Sequence, residues 1–324
     1  MGMLVKGVWY DVWYDTSASG GAFVRQDASF RERVTADGSS GYRAEPGRYH
    51  LYVSLACPWA HRTLIGRALK GLEDVISVSV VNHFMGEQGW HFEPTEGSTP
   101  DHLFGSTHMH QVYTRAKPDY TGRVTVPVLW DRQTGRIVNN ESPEILRMLN
   151  TEFDAYATRQ CPDLYPEAYR EQIDVWNERI YRTVNNGVYR AGFATTQEKY
   201  DEAVTELFAT LDLIDEHLGR NRYLCDRHIT EADWRLFPTL VRFDAVYHGH
   251  FKCNLRRLVD YDNLWDYARE LYQVPGIAST VNFHHIKHHY YRSHPAVNPT
   301  RIVPAGPSPK VSNWLAPHGR EAIG

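Results

Sequence analysis

The sequence predicts an α/β domain followed by an all-α domain. Three observations carry this. Between residues 50 and 139, short β-branched runs alternate with one helical stretch and close in a hairpin. After Cys161 the apolar residues recur at helical spacing almost without interruption. The chain has 324 residues, more than the roughly 250–300 at which single cores stop growing.

Residues 1–46 read as an N-terminal extension, broken by Ser17, Ser19, Gly20, Gly21, Gly38, Ser39, Ser40 and Gly41. The first domain spans 47–155. His50–Ser54 is a β-type run, Pro58–Leu72 carries Ala60, Leu64, Ala68 and Leu72 on one helical face, and Val75–Asn82 is a second β-branched run. A strand, a crossover helix and a strand make a parallel pair. Residues 83–123 interrupt the pattern as an insertion rich in His, Gly, Thr and aromatics. An unpatterned segment of this length is functional or disordered, and Trp90, Phe92, Phe104, Tyr113 and Tyr120 favour an ordered insertion near a site. Val124–Asp131 is a third strand with Pro127 inside it. Arg136–Asn139 pairs with it across a Gln-Thr-Gly turn, and Ser142–Leu149 is a helix with Ser142 as N-cap and Pro143 in the first turn.

Strands give way to helices near 150–163. The all-α domain spans 163–294. Its helical segments are Tyr169–Tyr189; Thr195–Leu218, opened by a capping box at Thr195–Glu198 and striped by Ala203, Leu207, Leu211, Ile214 and Leu218; Ile229–Tyr247; Leu264–Gln273; and Val281–Tyr291. Residues 295–324 form an extended C-terminal tail, with six prolines between Pro295 and Pro317.

Composition removes several classes of function. Lys+Arg is 35 and Asp+Glu 39, a net charge of −4, against the basic surplus of a nucleic-acid binder. No run of about 18 apolar residues offers a membrane span. The first 15 residues lack the basic-then-apolar layout of a secretory signal, so a cytoplasmic protein with reduced thiols is expected. Cys57, Cys161, Cys225 and Cys253 form neither a disulfide framework nor a C-x₂-C zinc motif. There are 17 histidines; His284/His288 and His285/His289 stand at i, i+4, but no acidic residue lies in that run and H-E-x-x-H is absent. No metal is expected. G-x-G-x-x-G and Walker A motifs are absent too, so neither flavin nor nicotinamide is expected.

The sharpest chemical signal is Cys57-Pro58-Trp59-Ala60 at a strand-to-helix junction. Free amide N–H groups and the helix dipole favour a thiolate there, and Pro58 gives up a donor that would be unpaired anyway. Ala60 stands where a dithiol oxidoreductase has its second cysteine. A mixed disulfide on Cys57 must therefore be resolved by an external thiol. Cys161, Cys225 and Cys253 lack this context and read as structural. Pro127, between Val126 and Val128, marks a bulge, an edge or a cis bond; a cis bond would turn the Val126 backbone outward to pair with a bound peptide. Asn139-Asn140-Glu141-Ser142 joins a helix start that accepts a carboxylate to a Glu that pairs an ammonium, the two charges of an amino-acid head group; on these residues alone ordinary capping is the better reading.

Taken together, these residues resemble the glutathione site of a thioredoxin-fold glutathione transferase. The Ile229–Trp234 run (I-T-E-A-D-W) resembles the capping box and hydrophobic staple of that superfamily's C-terminal domain. More narrowly, the chain resembles the glutathionyl-hydroquinone reductases, the Xi class. The motifs are C-P-W-A-H-R at Cys57–Arg62, R-V-T-V-P-V-L-W-D at Arg123–Asp131, N-N-E-S at Asn139–Ser142, N-N-G-V-Y-R-A-G-F-A at Asn185–Ala194, F-D-A-V-Y-H at Phe243–His248, I-K-H-H-Y-Y-R-S-H at Ile286–His294 and N-P-T-R-I-V-P at Asn298–Pro304.

The resemblance implies a thioredoxin-like domain joined to an all-α domain, with glutathione as co-substrate. The activity implied is reduction of S-glutathionyl-hydroquinones, with an Omega-like cysteine transferase or a non-catalytic binding module as alternatives. By the same resemblance Cys57 is the nucleophile, and Trp90 packs on glutathione. Val126, beside Pro127, bonds its cysteinyl part, with Arg123 and Val124 nearby. Glu141 and Ser142 hold the γ-glutamyl head. Tyr189 donates a proton to the leaving ring carbon. Tyr247 and Tyr290 point hydroxyls at the Cys57 sulfur, Tyr291 being the neighbouring choice for the last. A phenol hydrogen bond stabilises an anionic sulfur, and a carbon leaving group needs an acid beside it. A homodimer is implied by the family alone.

Overall fold

A computed structural model describes residues 2–308 and 310–323 of the chain. They divide into two compact units, each assembled from three separate stretches.

The α/β unit comprises Met1–Trp13, Gln26–Pro162 and Ser279–Ser293. Its strands are β1 (Met3–Val5), β2 (Val8–Tyr10), β3 (Tyr49–Val53), β4 (Ser77–Val80), β5 (Gly122–Arg123), β6 (Val128–Asp131) and β7 (Arg136–Asn139). Its helices are α1 (Pro58–Lys70), α2 (Met109–Ala116) and α3 (Ser142–Thr151), and the late segment Phe283–Ser293 is helical as well. The main sheet has the order β4-β3-β6-β7. β3 and β4 are parallel, with Leu51 opposite Val78, joined by the crossover through α1 that a parallel pair needs. β6 runs antiparallel to β3 and to β7. All five residues of β3 and all four of β6 are buried, which explains why neither shows the apolar–polar alternation of a half-exposed strand. Gly66 lets α1 approach α3: a Cβ there would stand 2.8 Å from Leu146 Cδ1. Gly71, at φ 63°, takes the left-handed turn that ends α1, two residues short of the expected end at Leu72.

Several local details depart from the sequence reading. The extension carries two short strands. Lys6 (φ 48°) and Gly7 (φ 80°) make a two-residue turn of the kind that matches strand twist. β1 and β2 pair across it with Val5 opposite Val8, and β1 also pairs with β5. Three-residue strands are too short to show period-2 alternation. Pro127 does not lie inside the third strand: β6 begins at Val128, because proline has no N–H for the ladder, while Gly122–Arg123 joins the small sheet. The N-cap of α3 is Glu141, with Ser142 inside the first turn. In the helical unit the cap falls on Thr196, whose hydroxyl accepts from the Lys199 N–H at 3.4 Å, not on Thr195.

The helical unit comprises Tyr14–Arg25, Asp163–Ala278 and His294–Gly324. It contains α4 (Arg170–Ile180), α5 (Gly187–Gly192), α6 (Gln197–Leu218), α7 (Glu231–Arg242) and α8 (Leu264–Gln273); the Phe283–Ser293 helix of the other unit is α9. The segment expected as one helix over Tyr169–Tyr189 is broken by a π-helical turn at Tyr181–Asn185. A second such turn, Phe243–Tyr247, follows α7; such turns recur at functional sites. The predicted stripe Ala203, Leu207, Leu211, Ile214 and Leu218 is the buried face of α6. α7 starts with the expected reciprocal box between Thr230 and Asp233. The tail is fastened by its side chains. Arg320 donates to the carbonyls of Leu218, Asn221 and Arg222, and Trp314 packs edge-on against Trp265. No described helix is long and apolar enough to cross a membrane.

Candidate active site

Cys57 is the N-cap of α1, with extended backbone (φ −76°, ψ 121°) and Pro58 in the first turn. Its Sγ accepts the Ala60 N–H at 3.5 Å, and the thiol donates to the Val126 carbonyl at 3.4 Å. A sulfur accepting a helix N-terminal amide is held where negative charge is favoured. Cys57 is half-buried, and none of the four cysteines is disulfide-bonded. Cys225 and Cys253 are fully buried; burial pushes the Cys225 thiol up to about 11 and that of Cys253 up as well. The Val126–Pro127 bond is cis.

One hydroxyl braces this region. Tyr113, buried in α2 of the insertion, donates to the Thr125 carbonyl at 2.9 Å and accepts from Asn140 Nδ2 at 3.1 Å. It thereby joins the residue before Val126 to the residue before Glu141. Burial pushes its phenol up to about 12, so it stays a hydroxyl. Asn140 in turn accepts the Phe30 N–H at 3.0 Å, and the Glu141 N–H bonds Asn139 Oδ1 at 2.7 Å. Glu141 is half-buried and Ser142 buried. Arg62 of α1, fully buried, reaches Ser142 Oγ at 3.4 Å and lies over the Trp59 ring.

Trp90 is buried, with its indole stacked on His289 of α9 at 4.7 Å. His289 is held through Nδ1 by the His83 carbonyl at 2.9 Å. Next to it Tyr290 is buried and Tyr291 half-buried. Val124 and Val126 are buried. The Arg123 guanidinium binds the carbonyls of Val12 and Trp13 in the extension.

Tyr189 and Tyr247 lie together in the helical unit. Tyr189 is on α5 and Tyr247 ends the second π-helical turn; their rings are 6.1 Å apart. Phe251 serves both, stacked on Tyr247 at 5.6 Å and edge-on to Tyr189 at 5.5 Å. It fits there because residue 192 is glycine: a Cβ would stand 2.2 Å from the Phe251 ring.

Sequence reasoning gave no role to Tyr113, Arg62, His289 or Phe251. Arg62 at least stands in the C-P-W-A-H-R motif and His289 in the helix of paired histidines; Tyr113 and Phe251 carry no such mark. Among the described residues no group of three His, Cys, Asp or Glu side chains is disposed to hold a metal.

The sequence model of the glutathione S-transferase N-terminal domain matches residues 56–152, and that of the C-terminal domain matches 197–270. The glutathionyl-hydroquinone reductase PcpF of Sphingobium chlorophenolicum is 57% identical over 95% of this chain and 97% of its own. The chain belongs to the Xi class of glutathione transferases, the glutathionyl-hydroquinone reductases. Solved Xi-class relatives agree with the fold. A Xi-class glutathione transferase from Natrialba magadii superposes with a TM-score of 0.92 at 53% identity, covering 99% of this chain and 97% of that one. The glutathione-bound structure of YqjG from Escherichia coli K-12 gives 0.91 at 52%, covering 99% of both chains. The α/β sheet unit and the helical unit are thus the two parts of a glutathione transferase fold.

Proposed function

We infer that this enzyme reduces S-glutathionyl-hydroquinones to hydroquinones, with glutathione as co-substrate. The observation that carries the reading is Cys57. It caps α1 under the Ala60 amide, with alanine where a resolving cysteine would be. The Cys57 thiolate attacks the glutathione sulfur of the conjugate. A sulfur–sulfur bond forms, the aryl carbon–sulfur bond breaks, and Tyr189 protonates the ring carbon that leaves. A second glutathione thiolate attacks the mixed disulfide, releasing glutathione disulfide and the Cys57 thiolate. The two electrons that reduce the carbon–sulfur bond come from the two glutathione sulfurs joined in that disulfide.

Trp90, Arg123, Val124, Val126, Pro127, Glu141 and Ser142 bind glutathione in this reading, and Tyr247 and Tyr290 stabilise the thiolate. The enzyme works as a cytoplasmic homodimer without metal, flavin or nicotinamide. The test is turnover of a glutathionyl-hydroquinone with glutathione, following free hydroquinone and glutathione disulfide. Both form in equal amounts, and Cys57→Ala loses at least about a hundredfold in rate. Undiminished turnover in that variant overturns the mechanism.

A further inference from the structure

The segment Tyr14–Arg25 of the N-terminal extension belongs to the helical unit, where it is fastened beside Tyr189. The Thr195 N–H donates to the Gly21 carbonyl at 3.1 Å, and the Thr16 and Thr195 hydroxyls are 3.1 Å apart. Gly21 is required at this seam. Its φ is 91°, and a Cβ would stand 2.6 Å from Thr196 Cγ2. Beyond the seam, Phe23 is buried between aromatic rings, 5.4 Å from Phe193 and 6.4 Å from Tyr189. Arg25 follows. Its Nε donates to Asn186 Oδ1 at 3.2 Å, and its guanidinium lies 5.0 Å from the Tyr189 ring centroid and 5.5 Å from that of Phe23.

Asn186 immediately precedes α5, the helix that carries Tyr189. The hydrogen bond and the ring contact therefore hold one cation against one phenol. Phe193, Phe251 and the Tyr247 phenol also lie against Tyr189 in this unit. The hydrogen-bonded pair His250 and His294 stands behind Phe251 and Phe193. Burial holds His250 down to about 4, so it is neutral at neutral pH. A cation fixed over a phenol favours the phenolate and makes the phenol a better proton donor.

We propose that Arg25 is a positioning residue that fixes the Tyr189 ring and strengthens its phenol as the acid that protonates the leaving hydroquinone carbon. The proposal rests on the reading of Tyr189 as that acid. It gives the extension a part in the reaction: Arg25 acts on the ring through Tyr189 and touches no reacting atom.

The experiment is single-turnover release of hydroquinone from a glutathionyl-hydroquinone, from neutral to alkaline pH, for the full-length wild type, Arg25→Gln, Arg25→Lys and Tyr189→Phe. Thermal melts establish that each variant is folded. The wild-type rate falls at high pH as Tyr189 loses its proton. Arg25→Gln moves that alkaline limb upward by about 0.5–1 pH unit and slows release severalfold on its plateau, while Arg25→Lys, which keeps the charge, moves it less. A merely structural Arg25 lowers the rate or the melting temperature and leaves the limb where it was. A limb unmoved in folded Arg25→Gln, but abolished in Tyr189→Phe, overturns the proposal and leaves the reading of Tyr189 standing. A limb that persists in Tyr189→Phe overturns that reading, and the proposal with it.

Discussion

Tyr113 shows how much of a site hangs on one atom outside it. Its hydroxyl is bonded on one side to the Thr125 carbonyl and on the other to Asn140. The segments it joins are the two assigned to the cysteinyl and γ-glutamyl parts of glutathione. Tyr113→Phe keeps the ring and removes the brace, leaving a buried carbonyl and a buried amide short of a partner, at roughly 1–3 kcal/mol. The KM for glutathione rises severalfold in this variant, while kcat at saturating glutathione changes little. Equal loss in both parameters would place Tyr113 in the chemistry instead. Cys57 and Tyr113 also mark the limits of reading a sequence. Cys57 was legible because its signal is local: a strand, a cysteine, a proline and a helix within a few residues. Tyr113 was one of many aromatics in an unpatterned insertion. Its partners are 12 and 27 residues away, and nothing in a linear pattern pairs them.

Among the elements, α7 has its start fastened by a buried carboxylate. Asp233, fully buried, accepts the N–H groups of Thr230 at 2.7 Å and Leu224 at 3.0 Å, and the Tyr267 hydroxyl at 2.7 Å. Burial nevertheless pushes its carboxyl above the usual range. Asp233→Ala removes its half of the capping box and leaves two N–H groups and the hydroxyls of Thr230 and Tyr267 to find new partners. It costs roughly 3–5 kcal/mol, seen as a lower midpoint in urea. Thr230→Ala, which loses the hydroxyl only, costs about 1–2 kcal/mol. If both variants unfold at the wild-type midpoint, the box does not hold the helix. Here the sequence was enough: Thr230 and Asp233 stand at the spacing of a capping box, and the structure has it. The β1–β2 hairpin was missed because strands of three residues give no period to detect. The two π-helical turns were missed because one residue inserted into a helix leaves its apolar spacing nearly intact. The cap of α6 moved by one residue because Thr196 caps as well as Thr195 does, and that of α3 moved to Glu141, which makes no side-chain capping bond.

The molecule as a whole carries an acid sensitivity written in buried histidines. His50, His83 and His250 are buried, and desolvation holds each down to about 4. In the unfolded chain these rings titrate near 6.5. Between roughly pH 6.5 and pH 4 the unfolded state therefore binds more protons than the folded one, so stability falls as the pH falls through this window. Each ring contributes at most roughly 3 kcal/mol over the full window. The melting temperature is expected to drop progressively from neutral pH to about pH 5, before the carboxylates titrate, and to recover on neutralisation. A flat melting temperature over that range contradicts the buried neutral state of these rings. His50→Gln, which can still bond Ser77 and Ser79, the partners His50 holds at 2.7 and 2.9 Å, flattens part of the slope.

The interleaving of the two units has a consequence for how the chain is made. The α/β unit draws on residues 1–13, 26–162 and 279–293. A ribosome that has released Pro162 must add residues 163–289 before Trp90 can meet His289. At about 5–20 residues per second this is a wait on the order of ten seconds. During that time the nascent sheet unit lacks its last helix, and the insertion's indole has no ring to lie on. Vectorial synthesis thus leaves the half of the protein that emerges first to be finished late. A fragment stopped at residue 162 would be an arrested intermediate of that process, with its Trp90 surface open to chaperones or to other nascent chains.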